Sequence, residues 1–135
     1  KMLTEALLCL TMNIYHEARG EPLAGRLAVG LVTMNRVESS RFPNTVCGVV
    51  QQGKHWKGHP VRNKCNFSWY CDGKPDLPKD NKAWSEAVTL SYRIQNGLVT
   101  DFTDGATHYH ASWMKPWWSS AYIEVGRIGS HIFYR

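Results

Sequence analysis

Leu3, Leu7, Leu10, Ile14 and Glu17 follow one another at spacings of four, three, four and three, which places them on one face of a single helix. Thr4 can cap its start and Gly20 can end it. A chain that opens this way must bury the stripe against other elements, and the stripe ends in a carboxyl group. A glutamate held at the polar end of an apolar face is partly desolvated, which raises its pKa toward the range where a general acid/base works. Glu17 is therefore the first candidate for chemistry, against the plainer reading of a solvated helix end with an Arg19–Glu21 pair.

Pro22 suits the first turn of a second helix, whose buried side is marked by Leu27, Leu31 and Met34 up to about Val37. Positions 39–43 read as a loop and 44–52 as a short helix or turn. The stretch 53–79 is rich in Gly, Pro, Asn, Asp and Lys and reads as irregular, longer than ordinary connections and so a place to look for function. Asp80 can cap another helix over 83–95, closed by Asn96-Gly97. The period then changes: 106–111, 122–128 and 131–134 are short β-prone runs separated by turn residues. The expectation is one α+β domain over 1–135, a helical core with a small C-terminal antiparallel sheet.

With 16 basic against 11 acidic residues the chain carries +5, which draws it to polyanions. The cations are scattered singly, with no zinc-finger or RNP-like pattern, so an envelope polymer fits better than nucleic acid. The apolar run 6–14 leads straight into Tyr15-His16-Glu17 with no small-residue cleavage site. It reads as the first helix rather than a signal peptide, and no stretch is long enough to span a membrane. Lys1 ahead of Met2 reads as a cloning remnant, with Met2 the natural start. That implies export without a signal of its own, or a trimmed mature form. Among Cys9, Cys47, Cys65 and Cys71, Cys9 reads as a buried free thiol in the helix. A disulfide within the remaining trio is compatible with an oxidising compartment, and the absence of a CxxC pair argues against zinc.

His16-Glu17-Ala18-Arg19-Gly20 begins like the H-E-x-x-H signature but has glycine where the second histidine ligand is required, so the zinc-protease reading fails. Glu21 reads as a structural or substrate-orienting partner of Glu17, acting through Arg19. In the β-prone run His108-Tyr109-His110 the two histidines point to one side and Tyr109 to the other. They form half a metal site, completed by a carboxylate or His131, or a hydrogen-bonding pair lining a cleft; Tyr109 can reach the same cleft as Glu17. Trp113, Trp117 and Trp118 read as core or lid packing. Phe67-Ser68-Trp69, with polar neighbours, reads as an exposed carbohydrate-stacking wall.

Taken in order, 15–21 (Tyr-His-Glu-Ala-Arg-Gly-Glu), Ala28-Val29 through Met34-Asn35-Arg36-Val37, the run from Phe42-Pro43-Asn44 to Gln51, Cys65-Asn66-Phe67-Ser68-Trp69-Tyr70-Cys71-Asp72-Gly73, Gly105-Ala106-Thr107-His108-Tyr109-His110-Ala111 and Ile128-Gly129-Ser130-His131-Ile132-Phe133-Tyr134 resemble the SleB/CwlJ cell-wall hydrolases over nearly the whole chain. The resemblance implies a peptidoglycan-cleaving catalytic domain of lysozyme/lytic-transglycosylase-like fold, with the catalytic glutamate at a helix end. Glu17 matches that glutamate, and Asn35, Phe67, Ser68, Trp69, Tyr109 and His110 match aromatic and polar cleft positions; Glu21 is added to these substrate-binding candidates from its place in the motif. No metal, no cofactor, no nucleic acid and no stable membrane insertion are expected. The expected protein is a monomer acting on glycan strands in the periplasm or cell wall; a start at Met2 leans toward a phage endolysin, made in the host cytoplasm and released to the wall.

Glycosidases that use water or a covalent intermediate need two carboxyls, about 5–5.5 Å apart for retention and roughly 6.5–9.5 Å for inversion. A lytic transglycosylase needs one. No second carboxylate announces itself here, with Glu21, Asp72, Asp101 and Asp104 left open, so a transglycosylase is expected. A hydrolytic muramidase is the near alternative. A metal-dependent N-acetylmuramoyl-alanine amidase using His108 and His110, and a non-catalytic envelope-binding module, are the readings from other classes.

Overall fold

A computed structural model describes residues 3–135; the reading of Lys1 and Met2 falls outside the described residues. Helix α1 runs Glu5–Ala18, started by Thr4, whose side chain accepts from the Leu7 amide at 3.2 Å. Its stripe behaves as the spacing predicts, with Leu10 and Ile14 fully buried. Helix α2, Leu23–Glu38, begins one residue later than expected because Pro22 is its N-cap. Helices α3 (Val46–Val50) and α4 (Asn81–Gln95) complete the core, α3 capped by Thr45 and α4 by Asp80. The main helices approach closely at Gly30, where a Cβ would lie 2.5 Å from Ile94 Cδ1 and 2.9 Å from Ile14 Cδ1. Only glycine lets α1, α2 and α4 meet there. Inside the core, Asn13 donates to Thr33 Oγ1 and accepts from Trp69 Nε1, so the buried amide has partners on both sides.

The C-terminal sheet is antiparallel, with β5 (His131–Tyr134) between β3 (His108–Ala111) and β4 (Glu124–Ile128). Tyr109 pairs with Phe133 and His110 with Ile132. Phe133 faces inward onto Ala28, Val32 and Ala106, a second small core that glues the sheet to α2. This is the α+β arrangement expected, and the three β-prone runs fall where strands form.

Several expectations are corrected. The stretch 53–79 contains a hairpin, β1 (Gly53–Trp56) and β2 (His59–Cys65). Its tip, Lys57-Gly58, has positive φ at both residues, the two-residue turn that matches strand twist. Pro60 is tolerated because a two-stranded ribbon has only edges. Cys9 is not a free thiol: it is bonded to Cys47, tying α1 to α3, while Cys65 bonds Cys71. Trp113 and Trp117 are not core residues but stand 79% and 90% exposed. Only Trp118 of that cluster packs, against His108, His110, Tyr122 and Tyr134. No helix of the described residues is long and apolar enough to cross a membrane.

Candidate active site

The last turn of α1 carries Glu17 to the edge of the sheet, where the Tyr109 hydroxyl donates a hydrogen bond to Glu17 Oε1. Removal from water raises the Glu17 pKa above the ordinary carboxyl value; the Tyr109 hydrogen bond and the Arg36 charge pull the other way without cancelling it. Tyr109 is itself held well above the usual phenol range by burial first, then by the charge and hydrogen bond of Glu17. It remains a neutral donor. Its ring is fixed by His131, 4.8 Å between centroids, and Phe133, 5.5 Å.

Arg36 is the residue that sequence reasoning missed. Nearly buried at the end of α2, it donates from Nε to the Thr107 carbonyl at 2.7 Å. Its guanidinium lies over the rings of Phe42 (5.0 Å) and Phe67 (5.1 Å). Burial lowers its pKa, opposed by Tyr109, Glu17 and Tyr122. The available signal was an arginine at spacings of seven and four from Val29 and Val32, on a second apolar side of α2 that the Leu27, Leu31 and Met34 stripe does not mark.

Glu21 also reaches the sheet, but through Ser130 rather than Arg19. Its Oε1 accepts from the Ser130 amide at 2.8 Å and its Oε2 from the Ser130 hydroxyl. Burial works to raise the Glu21 pKa, and the two bonds from Ser130 with His131 nearby outweigh it, so the net shift is downward and Glu21 stays ionised. His131 Nδ1 lies 3.8 Å from Glu21 Oε1. Burial lowers the His131 pKa against the pull of Glu21, so at neutral pH this contact is not an ion pair. Arg19 instead leans over the Tyr15 ring at 4.9 Å.

The remaining predicted site residues separate. Phe67 is only 3% exposed and lies beneath Arg36, with no face left for a sugar. Trp69 is buried and stacks on His16 at 4.6 Å, and only Ser68 of that trio is exposed. The expected exposed wall is thus a floor, because both rings are drawn into the helical core. His16 donates to the Asp76 carbonyl, and the Tyr15 hydroxyl accepts from the Lys79 and Asp80 amides; these bonds fix the end of α1. Asn35 spends its amide on Asp101 Oδ2 (3.0 Å) and the Ala106 carbonyl (2.9 Å), clasping α2 to the approach to β3. His110 lies on the opposite side of β3 from Tyr109, bonded to the Ala111 carbonyl and the Tyr134 hydroxyl. His108, on that same side, has its pKa lowered to about 4, by burial and then by Arg36 and Arg41. Among the described residues, no three His, Cys, Asp or Glu side chains gather as a metal site.

The other open carboxylates are engaged elsewhere. Asp72 caps the Lys74 amide, Asp101 accepts from Thr103, Gly105 and Asn35, and exposed Asp104 pairs with Arg135 at 3.1 Å. Glu17 therefore stands with a phenol and a guanidinium as its polar neighbours, an arrangement suited to taking up and releasing a proton.

The cell wall hydrolase family model matches residues 20–134. The spore cortex-lytic enzyme of Bacillus cereus is 33% identical over 123 residues, covering 89% of this chain and 40% of that protein. That of Bacillus subtilis is 34% identical over 127 residues, covering 92% and 35%. The chain thus spans about two fifths or less of the length of these relatives. Among solved structures, the catalytic domain of the germination-specific lytic transglycosylase SleB from Bacillus anthracis superposes with a TM-score of 0.71 at 30% identity, covering 98% of this chain and 97% of that one. The Bacillus cereus SleB catalytic domain gives 0.69 at 29%, covering 100% and 94%. The fold is the expected lysozyme-like helical core with its small sheet. Matched along nearly all its length in sequence and in fold, the chain belongs to the cell wall hydrolase family.

Proposed function

We propose that this chain cleaves the glycan strands of bacterial peptidoglycan as a lytic transglycosylase, with Glu17 as its sole acid/base. The observation that carries this reading is the pairing of a desolvated Glu17 with Tyr109 while Glu21 is fully engaged by Ser130. One structural relative, the catalytic domain of Bacillus anthracis SleB, belongs to a lytic transglycosylase, which supports it. Burial favours the protonated form of Glu17, and the Tyr109 hydroxyl occupies Oε1, leaving Oε2 to carry the proton. Glu17 gives this proton to the oxygen linking C1 of N-acetylmuramic acid to N-acetylglucosamine, and the C1–O bond breaks. Arg36 and Tyr109 stabilise the carboxylate left behind. The muramic C6 hydroxyl then attacks C1 and returns its proton to Glu17, closing a 1,6-anhydro ring without water. Such an enzyme works at the cell envelope, as a monomer and without a cofactor.

Digestion of purified peptidoglycan by wild type and by Glu17→Gln, read by mass spectrometry, tests this. Anhydromuramic ends are expected from wild type and almost none from the variant. Reducing muramic ends would replace the reading by a hydrolytic muramidase, and chelator-sensitive release of free stem peptides by an amidase. Undiminished cleavage by Glu17→Gln would overturn it.

A further inference from the structure

The charge of this protein is concentrated on one element. The β1–β2 hairpin holds Lys54, Lys57, Arg62 and Lys64 and no acidic residue, four of the chain's sixteen cations and none of its eleven anions. The rest of the chain therefore carries twelve against eleven, so the hairpin accounts for four of the five net charges. All four cations are exposed, and among the described residues none is within ion-pairing distance of a carboxylate. At the tip Lys57 has φ 51°, where Asn or Gly is the ordinary choice. Its ammonium lies 5.6 Å from the ring of Trp56, itself 68% exposed. The base of the ribbon is fastened by Cys65–Cys71 to the one-turn helix Ser68–Cys71, whose Trp69 stacks on His16 beside Glu17.

We propose that this hairpin is a substrate-holding arm that binds the carboxylates of the peptide stems on the same peptidoglycan that Glu17 cleaves. This rests on the glycan-cleaving reading above. The seven residues of β2 span about 20 Å, so the arm extends well beyond a single sugar ring from a base next to the catalytic glutamate. Carboxylates fit better than phosphates. Geometrically specific phosphate sites use free arginine forks or backbone nests, lysine serving phosphate only as a point charge, and this ribbon carries mainly lysines. Its one guanidinium is packed against Gly73, where a Cβ would lie 2.7 Å from Arg62 Nε. Separate point charges suit singly charged groups spaced along a polymer. The covalent link between stems and glycan makes each weak contact intramolecular once the glycan is held. A bilayer surface would call for a broader apolar face than Trp56 alone.

The test is binding of the Glu17→Gln chain, with and without Lys54→Gln/Lys57→Gln/Lys64→Gln, to peptidoglycan stripped of phosphodiester polymers by hydrofluoric acid. The three exposed lysines leave the fold intact, checked by circular dichroism. The lysine substitutions are expected to weaken binding about tenfold at low ionic strength, with the difference erased in roughly 0.5 M salt and on walls whose carboxyls have been amidated. On peptide-free glycan oligomers, the lysine variant with Glu17 intact should cleave as fast as wild type. Equal binding by the lysine variant overturns the proposal, as does a difference that survives amidation. A difference seen only on walls that keep their phosphodiester polymers, or only on phosphatidylglycerol vesicles, overturns it in favour of phosphate. Failure of the glycan-cleaving reading is read separately, as absence of anhydromuramic or reducing muramic ends from the wild-type digest.

Discussion

Replacing Glu17 by glutamine should destroy activity and stabilise the fold, with the gain depending on pH in a fixed direction. In the folded chain burial raises the Glu17 pKa, whereas in the unfolded chain it has its ordinary value. Between the two values the folded state binds more protons, so wild-type stability falls as pH rises through that window, and the loss is complete above the folded pKa. Glutamine is isosteric, keeps an oxygen to accept from Tyr109 and never ionises. Relief of a carboxylate this poorly solvated, with one phenol and one guanidinium for compensation, is worth about 1–3 kcal/mol at pH 8, the cost of a buried polar group left short of partners. With an unfolding entropy near 2.1 cal/mol/K per residue, each kcal/mol moves the Tm of a chain this size by about 3–4 °C. Thermal melts of both proteins between pH 4 and 8 should show the variant higher at pH 8 and the gap closing toward pH 4. Turnover should fall by at least about a thousandfold, the upper part of the range for a positioned acid/base that acts twice in one cycle. A variant no more stable than wild type at pH 8, or one whose advantage grows as pH falls, would refute the claim that Glu17 is a desolvated carboxyl.

Three further outcomes follow from the same geometry. Tyr109→Phe removes the donor that favours the ionised form of Glu17, so the alkaline limb of the pH–rate profile should move upward while turnover drops about 10- to 100-fold; an unmoved limb would mean the phenol does not touch the working carboxylate. Ser130→Ala deletes one of two bonds that lower the Glu21 pKa, costing roughly 1–2 kcal/mol at neutral pH. Because that stability belongs to ionised Glu21 and is lost as pH falls through its folded pKa, the acid decline in denaturant melts should be shallower in the variant. Cys9→Ser/Cys47→Ser opens a cross-link of sequence separation 38 and should cost about 4 kcal/mol, against about 2 kcal/mol for Cys65→Ser/Cys71→Ser with separation 6, compared by urea titration.

What was legible in the sequence were the periodic features. The stripe ending at Glu17, the caps at Thr4 and Asp80 and the three C-terminal strands are set by local spacing and by side chains that bond within a few residues. The β1–β2 hairpin was read as loop because its signals conflict: Lys57-Gly58 is a weaker turn signature than Asn-Gly, and Pro60 argues against a strand until one knows that both strands are edges. The Cys9–Cys47 bond depends on α1 meeting α3, a contact between segments 38 residues apart that no local pattern encodes. Trp69 misled for a related reason. Its polar neighbours suggested exposure, while its indole N–H has a buried partner, Asn13, that lies 56 residues away.

Two side chains four residues apart, Glu17 and Glu21, both cross from the helical part of the molecule to the sheet, and their opposite pKa shifts follow from what each meets there. Glu17 meets a phenol that donates one bond, too little to offset its desolvation, so its pKa stays raised. Glu21 meets an amide and a hydroxyl on the β4–β5 turn, which together outweigh its burial, so it stays charged. Gly129 is required beside this contact: it has φ 58°, and a Cβ there would collide with Glu21 Oε1. The turn that receives Glu21 belongs to the same strand as Phe133, which supports the Tyr109 ring. On the proposed single-glutamate reading, Glu21 acts as a positioning residue rather than as a second catalytic carboxylate. By anchoring β5 to the corner after α1 it fixes the distance between Glu17 and the hydroxyl that orients it, and a shift of that strand would be felt at the proton-bearing oxygen.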